Sequence, residues 1–123
     1  MGLLLDLPPR LPPLEGDADR LQQAVLNLLD NALRFAPSGS AVQVSLSLAE
    51  AEVILRVLDQ GRGPTAGEEQ RAFEPYFRGD GGGAGLGLTI AREIVTAHGG
   101  RIWLRSRPEG GAESGFALPA NPP

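Results

Sequence analysis

The chain has 123 residues, 41% of them hydrophobic and 21% charged, with fifteen acidic against eleven basic side chains and a formal charge of -4. That length and balance describe one domain with a packed core rather than a disordered or fibrous chain, and the acidic charge leaves no basic footprint for nucleic acid or anionic membrane. The absence of cysteine rules out disulfides and thiolate metal sites, and no apolar run approaches the ~20 residues of a membrane-spanning helix.

In chain order, Leu3, Leu4, Leu5 and Leu7 followed by Pro8, Pro9, Pro12 and Pro13 predict a short edge strand and a proline-rich turn, since proline cannot donate to a ladder. Asp17 or Asp19 is positioned to cap a helix in which Leu21, Val25, Leu28, Leu29 and Ala32 recur at helical spacing, ending before Pro37 and Gly39. Val42, Val44, Leu46 and Leu48 alternate with polar residues. Val53, Leu55 and Val57 alternate again after a short acidic turn, which predicts a hairpin. From Gly61 to Gly85 the pattern dissolves into a long loop holding Phe73, Tyr76 and Phe77, and loops of that length are usually functional. Leu86, Ile90, Ile94, Val95 and Ala97 resume helical spacing until Gly99-Gly100. Ile102, Trp103 and Leu104, then Phe116 and Leu118 beyond a turn over Glu109 to Gly115, predict a closing hairpin, with Trp103 packing on a helix.

Four groups of residues suggest chemistry. On the first helix Asn27, Asn31 and Arg34 fall within roughly 60° of one another at ~100° per residue, so two carboxamides and a guanidinium share a stripe. An amide oxygen can ligate Mg2+ and a guanidinium can grip phosphate, although a solvated helix face has the same composition. Asp59 ends an apolar strand and is followed by Gln60, Gly61, Arg62 and Gly63. A carboxylate there can accept the amine hydrogens of adenine while the glycines let a planar base approach; a plain Asp-x-Gly turn is the alternative. The run Gly81 to Leu88 leads directly into the second helix, whose free N–H groups favour phosphate. It lacks the Lys-Ser or Lys-Thr of a Walker loop and has no strand feeding it. In the segment Phe73 to Arg78 the aromatics either pin the loop as a small satellite core or contact nucleotide, and Arg78 is a phosphate candidate. The single histidine, His98, stands at a helix end as a capping residue.

The order of these pieces resembles the catalytic domains of sensor histidine kinases in the GHKL ATPase superfamily, over nearly the whole sequence. LQQAVLNLLDNALRFAP at 21–37 is similar to the N box, DQGRG at 59–63 to the G1 box, FEPYFR at 73–78 to the F box, and GAGLGL at 83–88 to the G2 box. Pro64 departs from the usual aliphatic residue, and the segment from Gly110 to Leu118 matches the last glycine motif loosely.

The resemblance implies a Bergerat-type α/β sandwich, that is, a two-layer α+β fold whose mixed, mostly antiparallel sheet carries helices on one face. It implies a single ATP-binding domain over 1–123, truncated at its N-terminus, with a mobile lid at about 64–84. Asn31 becomes the Mg2+ ligand; Asn27 and Arg34 lie near the phosphates and share the catalytic role. Asp59 meets the adenine amine, Phe35 lines the adenine site, Gly61 and Gly63 shape it, and Arg78 reaches phosphate. Gly83, Gly85, Leu86 and Gly87 close lid and helix start over the triphosphate. The implied reaction is transfer of the γ-phosphate of Mg-ATP to a histidine on a separate dimerisation domain, with a response regulator downstream. The fragment would be a monomer on the cytoplasmic side of a homodimeric, membrane-bound bacterial sensor, without touching membrane itself.

Three rivals belong beside this reading. A hydrolysing switch of the gyrase B or MutL type needs a glutamate where this chain has Asn27, and an amide cannot take the proton of water. A serine kinase of the anti-sigma-factor type has similar boxes. A sensor that binds adenine nucleotide without catalysis would keep the pocket alone.

Overall fold

The computed structural model describes residues 2–6, 17–35, 37, 39–61, 69, 71, 73 and 87–120. They form β1 (Gly2–Asp6), α1 (Ala18–Phe35), β2 (Ala41–Ala49), β3 (Glu52–Leu58), α2 (Gly87–Ala97), β4 (Arg101–Ser106) and β5 (Ala112–Pro119). The five strands make one sheet in the order β1-β2-β3-β5-β4. β1 pairs with β2 in parallel, and every other pairing is antiparallel, so the sheet is mixed and mostly antiparallel. β1 lies at one edge of the sheet.

Local chemistry sets the ends of the helices. Asp17 caps α1, its Oδ1 accepting the N–H groups of Asp19 and Arg20 at 3.1 and 3.2 Å. α2 stops on a glycine pair: Gly99 takes a φ of 78°, its N–H reaches the Thr96 carbonyl, and that of Gly100 reaches the Val95 carbonyl. These two bonds satisfy carbonyls that the helix end would otherwise orphan.

Both helices lie on one face of the sheet. Ala24, Leu28 and Ala32 of α1 and Leu88, Ala91, Ile94 and Val95 of α2 pack with Val42, Val44, Leu55, Val57, Phe116 and Leu118. Among the described residues, Leu28, Val42, Val57 and Val95 are the largest side chains fully removed from water, and burying each stabilises the fold by about 1.5–3 kcal/mol. β3 and β5, the strands at the centre, are thereby fixed against α1, which positions the strand end at Asp59.

Two sequence expectations change. The last turn is shorter than Glu109 to Gly115, because β5 begins at Ala112 and takes Gly115 into its ladder opposite Trp103. Among the described residues Trp103 does not join the helix-facing core: strand alternation turns it away from Ile102 and Leu104, which do. Its ring crosses Gly115, where an added Cβ would come within 3.0 Å of the indole. The Arg101 and Arg105 guanidinium groups lie 5.2 and 5.1 Å from the ring centroid, and Nε1 donates to Glu113 at 2.8 Å. Trp103 therefore seals the open face of the sheet, where its indole N–H has a partner.

His98 does more than cap its own helix. Its Nδ1 lies 2.8 Å from the Ile94 carbonyl, so it donates there, and Nε2 accepts the Asp17 N–H at 2.9 Å. These two bonds fix the neutral ring with its proton on Nδ1 and tie the start of α1 to the end of α2. His98→Ala is expected to cost about 1–3 kcal/mol and to lower the thermal midpoint by several degrees. An unchanged melting curve would show that the tie contributes nothing.

Candidate functional site

Asp59 follows directly on β3, at the end of its run of Val53, Leu55 and Val57, and is 3% exposed. Almost every polar group of this residue is engaged. Its N–H donates to the Ala112 carbonyl at 2.9 Å, and its carbonyl accepts from Arg107 Nη1 at 2.9 Å. Oδ1 accepts the N–H groups of Gly61 at 2.8 Å and Ala112 at 3.3 Å. Oδ2 makes no hydrogen bond among the described residues.

Burial pushes the Asp59 carboxyl above its ordinary value of 3.8; the Gly61 and Ala112 N–H groups and the Arg107 charge pull it down without cancelling the rise. The turn between β4 and β5 reaches Asp59 because Gly111 takes a φ of 93°. A Cβ at Gly111 would fall on the Asp59 carbonyl and come within 3.0 Å of the Gln60 Cα, so only glycine fits.

The helical stripe divides into three environments. Asn27 Nδ2 donates to the Gly87 carbonyl at 3.1 Å, tying the middle of α1 to the first residue of α2. Asn31, one turn on, is half-buried, and its carboxamide makes no hydrogen bond among the described residues. Arg34 is exposed and pairs with Asp30 at 3.1 Å; an exposed pair of this kind is worth little and leaves other guanidinium donors unused.

Asn27 and Gly87 therefore meet directly, as do Asp59 and Gly61, while no hydrogen bond joins the two sets; they are linked through α1 resting on the strands. Phe35 closes α1, and its side chain lies outside the described residues. So do Gly63, Arg78, Gly83, Gly85 and Leu86, together with the expected lid at 64–84 except Glu69, Arg71 and Phe73. Phe73 is 8% exposed and belongs to the principal core rather than to a satellite cluster, and its carbonyl accepts from Thr89 Oγ1 at 2.9 Å.

No group of three or more His, Cys, Asp or Glu side chains able to hold a metal occurs among the described residues. Arg107, Gly111 and Ala112, which hold Asp59 in place, are not among the residues that the sequence singles out. The glycine pair 110–111 was the available signal, since two glycines in a short hairpin turn mark positive φ and close backbone approach.

The family model for "Histidine kinase-, DNA gyrase B-, and HSP90-like ATPase" matches residues 16–122. The chain belongs to this ATPase family. It is similar to the adaptive-response sensory kinase SasA of Nostoc sp., 35% identical over 122 residues that cover 95% of this chain and 30% of that protein. It is also similar to the alginate biosynthesis sensor protein KinB of Pseudomonas aeruginosa, 37% identical over 121 residues covering 97% of this chain and 20% of that protein. The chain thus spans a third or less of the length of these curated relatives. Among solved structures, a mycobacterial sensor histidine kinase, MprB, superposes with a TM-score of 0.87 at 32% identity, covering 99% of this chain and 83% of that one. Full-length ShkA, solved in complex with AMPPNP, gives a TM-score of 0.87 at 30% identity, covering 99% of this chain and 26% of that one. The sequence-based family, its α+β fold and its histidine kinase type of ATPase domain are thereby established for this chain. Within the described residues, no helix is long and apolar enough to cross a membrane.

Proposed function

We propose that this ATPase domain binds Mg-ATP and donates the γ-phosphate to a histidine carried by a separate dimerisation domain of a two-component sensor kinase. One observation carries the reading: a buried carboxylate at a strand end, with Oδ1 held by two backbone N–H groups and Oδ2 without a hydrogen-bond partner among the described residues, in a chain similar to sensor kinases over nearly all its length.

Asp59 Oδ2 accepts the exocyclic amine of adenine, while Gly61 and Gly63 leave room for the ring beside the backbone and Phe35 lines it. Asn31 would hold Mg2+ through its amide oxygen, and the ion would supply charge neutralisation to the phosphates. Arg34 and Arg78 bind phosphate, and Gly83, Gly85, Leu86 and Gly87 let the lid and the start of α2 close on it. The lid spans about 64–84. Asn27 spaces α1 from α2 through its bond to Gly87 and, being an amide, activates no water. That favours transfer over hydrolysis, since phosphoryl transfer asks chiefly for positioning and charge neutralisation. His98 is not the acceptor, because both its ring nitrogens serve the junction between α1 and α2.

The domain acts in the cytoplasm as a monomeric part of a homodimeric sensor, passing phosphate onward to a response regulator. The test mixes the purified chain with a sensor-kinase dimerisation domain and radiolabelled ATP. Acid-labile phosphohistidine is expected on the added domain, and negligible label on this chain alone. Nucleotide binding with no phosphohistidine would reduce the function to nucleotide sensing.

A further inference from the structure

We propose that Arg107 is a positioning residue for the adenine site, clamping Asp59 from the turn between β4 and β5 and extending downward the pH range over which the site accepts nucleotide. The inference rests on the assignment of Asp59 to the adenine amine. Its geometry is independent of any ligand.

The turn touches Asp59 at every polar group except Oδ2. Arg107 Nη1 donates to the Asp59 carbonyl at 2.9 Å from one end of the turn, while at the other end Ala112 accepts the Asp59 N–H and donates to Oδ1. The turn that carries Arg107 is itself closed: its N–H reaches the Gly111 carbonyl at 3.0 Å, and its carbonyl accepts the Gly110 N–H at 3.0 Å. Gly111 sits with its backbone against the Asp59 carbonyl, where no side chain fits. The Arg107 side chain is 19% exposed, with Nε 3.7 Å from Glu109. A planar guanidinium on such a base holds its position with little further loss of freedom.

The same contact places a permanent positive charge near a carboxyl that burial raises, where it adds to the larger lowering effect of the Gly61 and Ala112 N–H groups. Glu109 is the other charged group on the turn. On the elements packed around this strand end, Arg34 and Asp30 of α1 pair with each other, and Glu113 of β5 pairs with Arg56 of β3 and Arg105 of β4. Arg107 is thus the cation that acts on Asp59 among the described residues, and its attraction lowers the carboxyl against the effect of burial. Hydrogen bonding from an adenine amine requires an acceptor, so keeping Asp59 ionised keeps the site receptive.

The experiment compares the 123-residue chain with Arg107→Met, which keeps the aliphatic stem, and Arg107→Lys, which restores charge and one donor. The Asp59 carboxyl is titrated by carbon-detected NMR without nucleotide, and ADP affinity is measured by calorimetry from pH 5 to 8. In Arg107→Met the Asp59 midpoint should rise, and the loss in affinity relative to wild type should grow from a few-fold at pH 8 to about tenfold or more near pH 5. Arg107→Lys should recover much of the shift. An Asp59 midpoint unchanged in Arg107→Met, or an affinity loss equal at all pH values and not rescued by Lys, overturns the proposal and leaves Arg107 a structural residue. Failure of the wild-type chain to bind ADP would overturn the nucleotide assignment instead, and with it Arg107's role in binding, while the carboxyl titration would still report its effect on Asp59.

Discussion

Asp59→Asn is expected to weaken adenine nucleotide binding at neutral pH by about a hundredfold or more, while the domain stays folded. The reason is directional. Two backbone N–H groups, of Gly61 and Ala112, point at Oδ1, so an asparagine must place its carbonyl oxygen there and its amino group where Oδ2 stood. That amino group then faces the adenine amine, donor against donor. The change removes a charge-assisted bond of about 1.5–3 kcal/mol and leaves a donor unsatisfied at about 1–3 kcal/mol; together these amount to a factor of roughly 60 to 10⁴. Stability should move the other way. Burial raises the folded-state carboxyl above its unfolded value, so its contribution favours the fold at low pH and is lost as pH rises through the folded value. At neutral pH the ionised, buried carboxylate is a cost that the amide lacks. The variant should therefore melt no earlier than wild type at pH 7, with its relative stability falling as pH drops into the carboxylate range. Nucleotide affinity of the wild type should fall as pH drops through the raised Asp59 value, and that dependence should vanish in the variant. Calorimetry with ADP and thermal denaturation at matched pH read both effects; equal affinity in the two proteins removes Asp59 from the site.

The contrast between residues that could be read from sequence and those that could not follows from the range of the interactions. The alternation through Val53, Leu55 and Val57 marked β3, and an acid at the end of such a run followed by glycines identified Asp59 as a residue held beside bare backbone. The helical recurrence of Leu21, Val25, Leu28 and Ala32 gave α1, and with it the face shared by Asn27, Asn31 and Arg34. All of these are local patterns. Arg107 is 48 residues from Asp59 in sequence, and its role exists only because β5 enters the sheet beside β3 rather than beside β4 alone. Trp103 failed for the same reason: its strand was legible, but the face it occupies depended on Gly115, which sequence alone placed in a turn. His98 was recognised as a helix end, whereas its bond to Asp17 spans 81 residues and no spacing rule could supply it.

Asn31 should separate metal use from base recognition. Its carboxamide is half-buried yet makes no hydrogen bond among the described residues, so Asn31→Ala leaves no partner orphaned, and alanine is the better helix former by a few tenths of a kcal/mol. The circular dichroism and melting point should match or slightly exceed those of the wild type. Transfer to a dimerisation domain should nevertheless fall by about 10²–10³-fold, the usual loss when one preorganised electrostatic contact to the reacting group is deleted. Asn31→Asp keeps an oxygen for the cation but sets a negative charge beside the triphosphate, so it too should transfer poorly while remaining folded. The decisive comparison is with Asp59→Asn. The Asp59 variant should lose affinity for ADP whether or not Mg2+ is present, because the base is no longer recognised. The Asn31 variants should bind ADP normally without Mg2+ and lose only the gain that the ion confers. If Asn31→Ala transfers phosphate at the wild-type rate, the cation is held elsewhere, and α1 contributes shape to the site rather than a ligand.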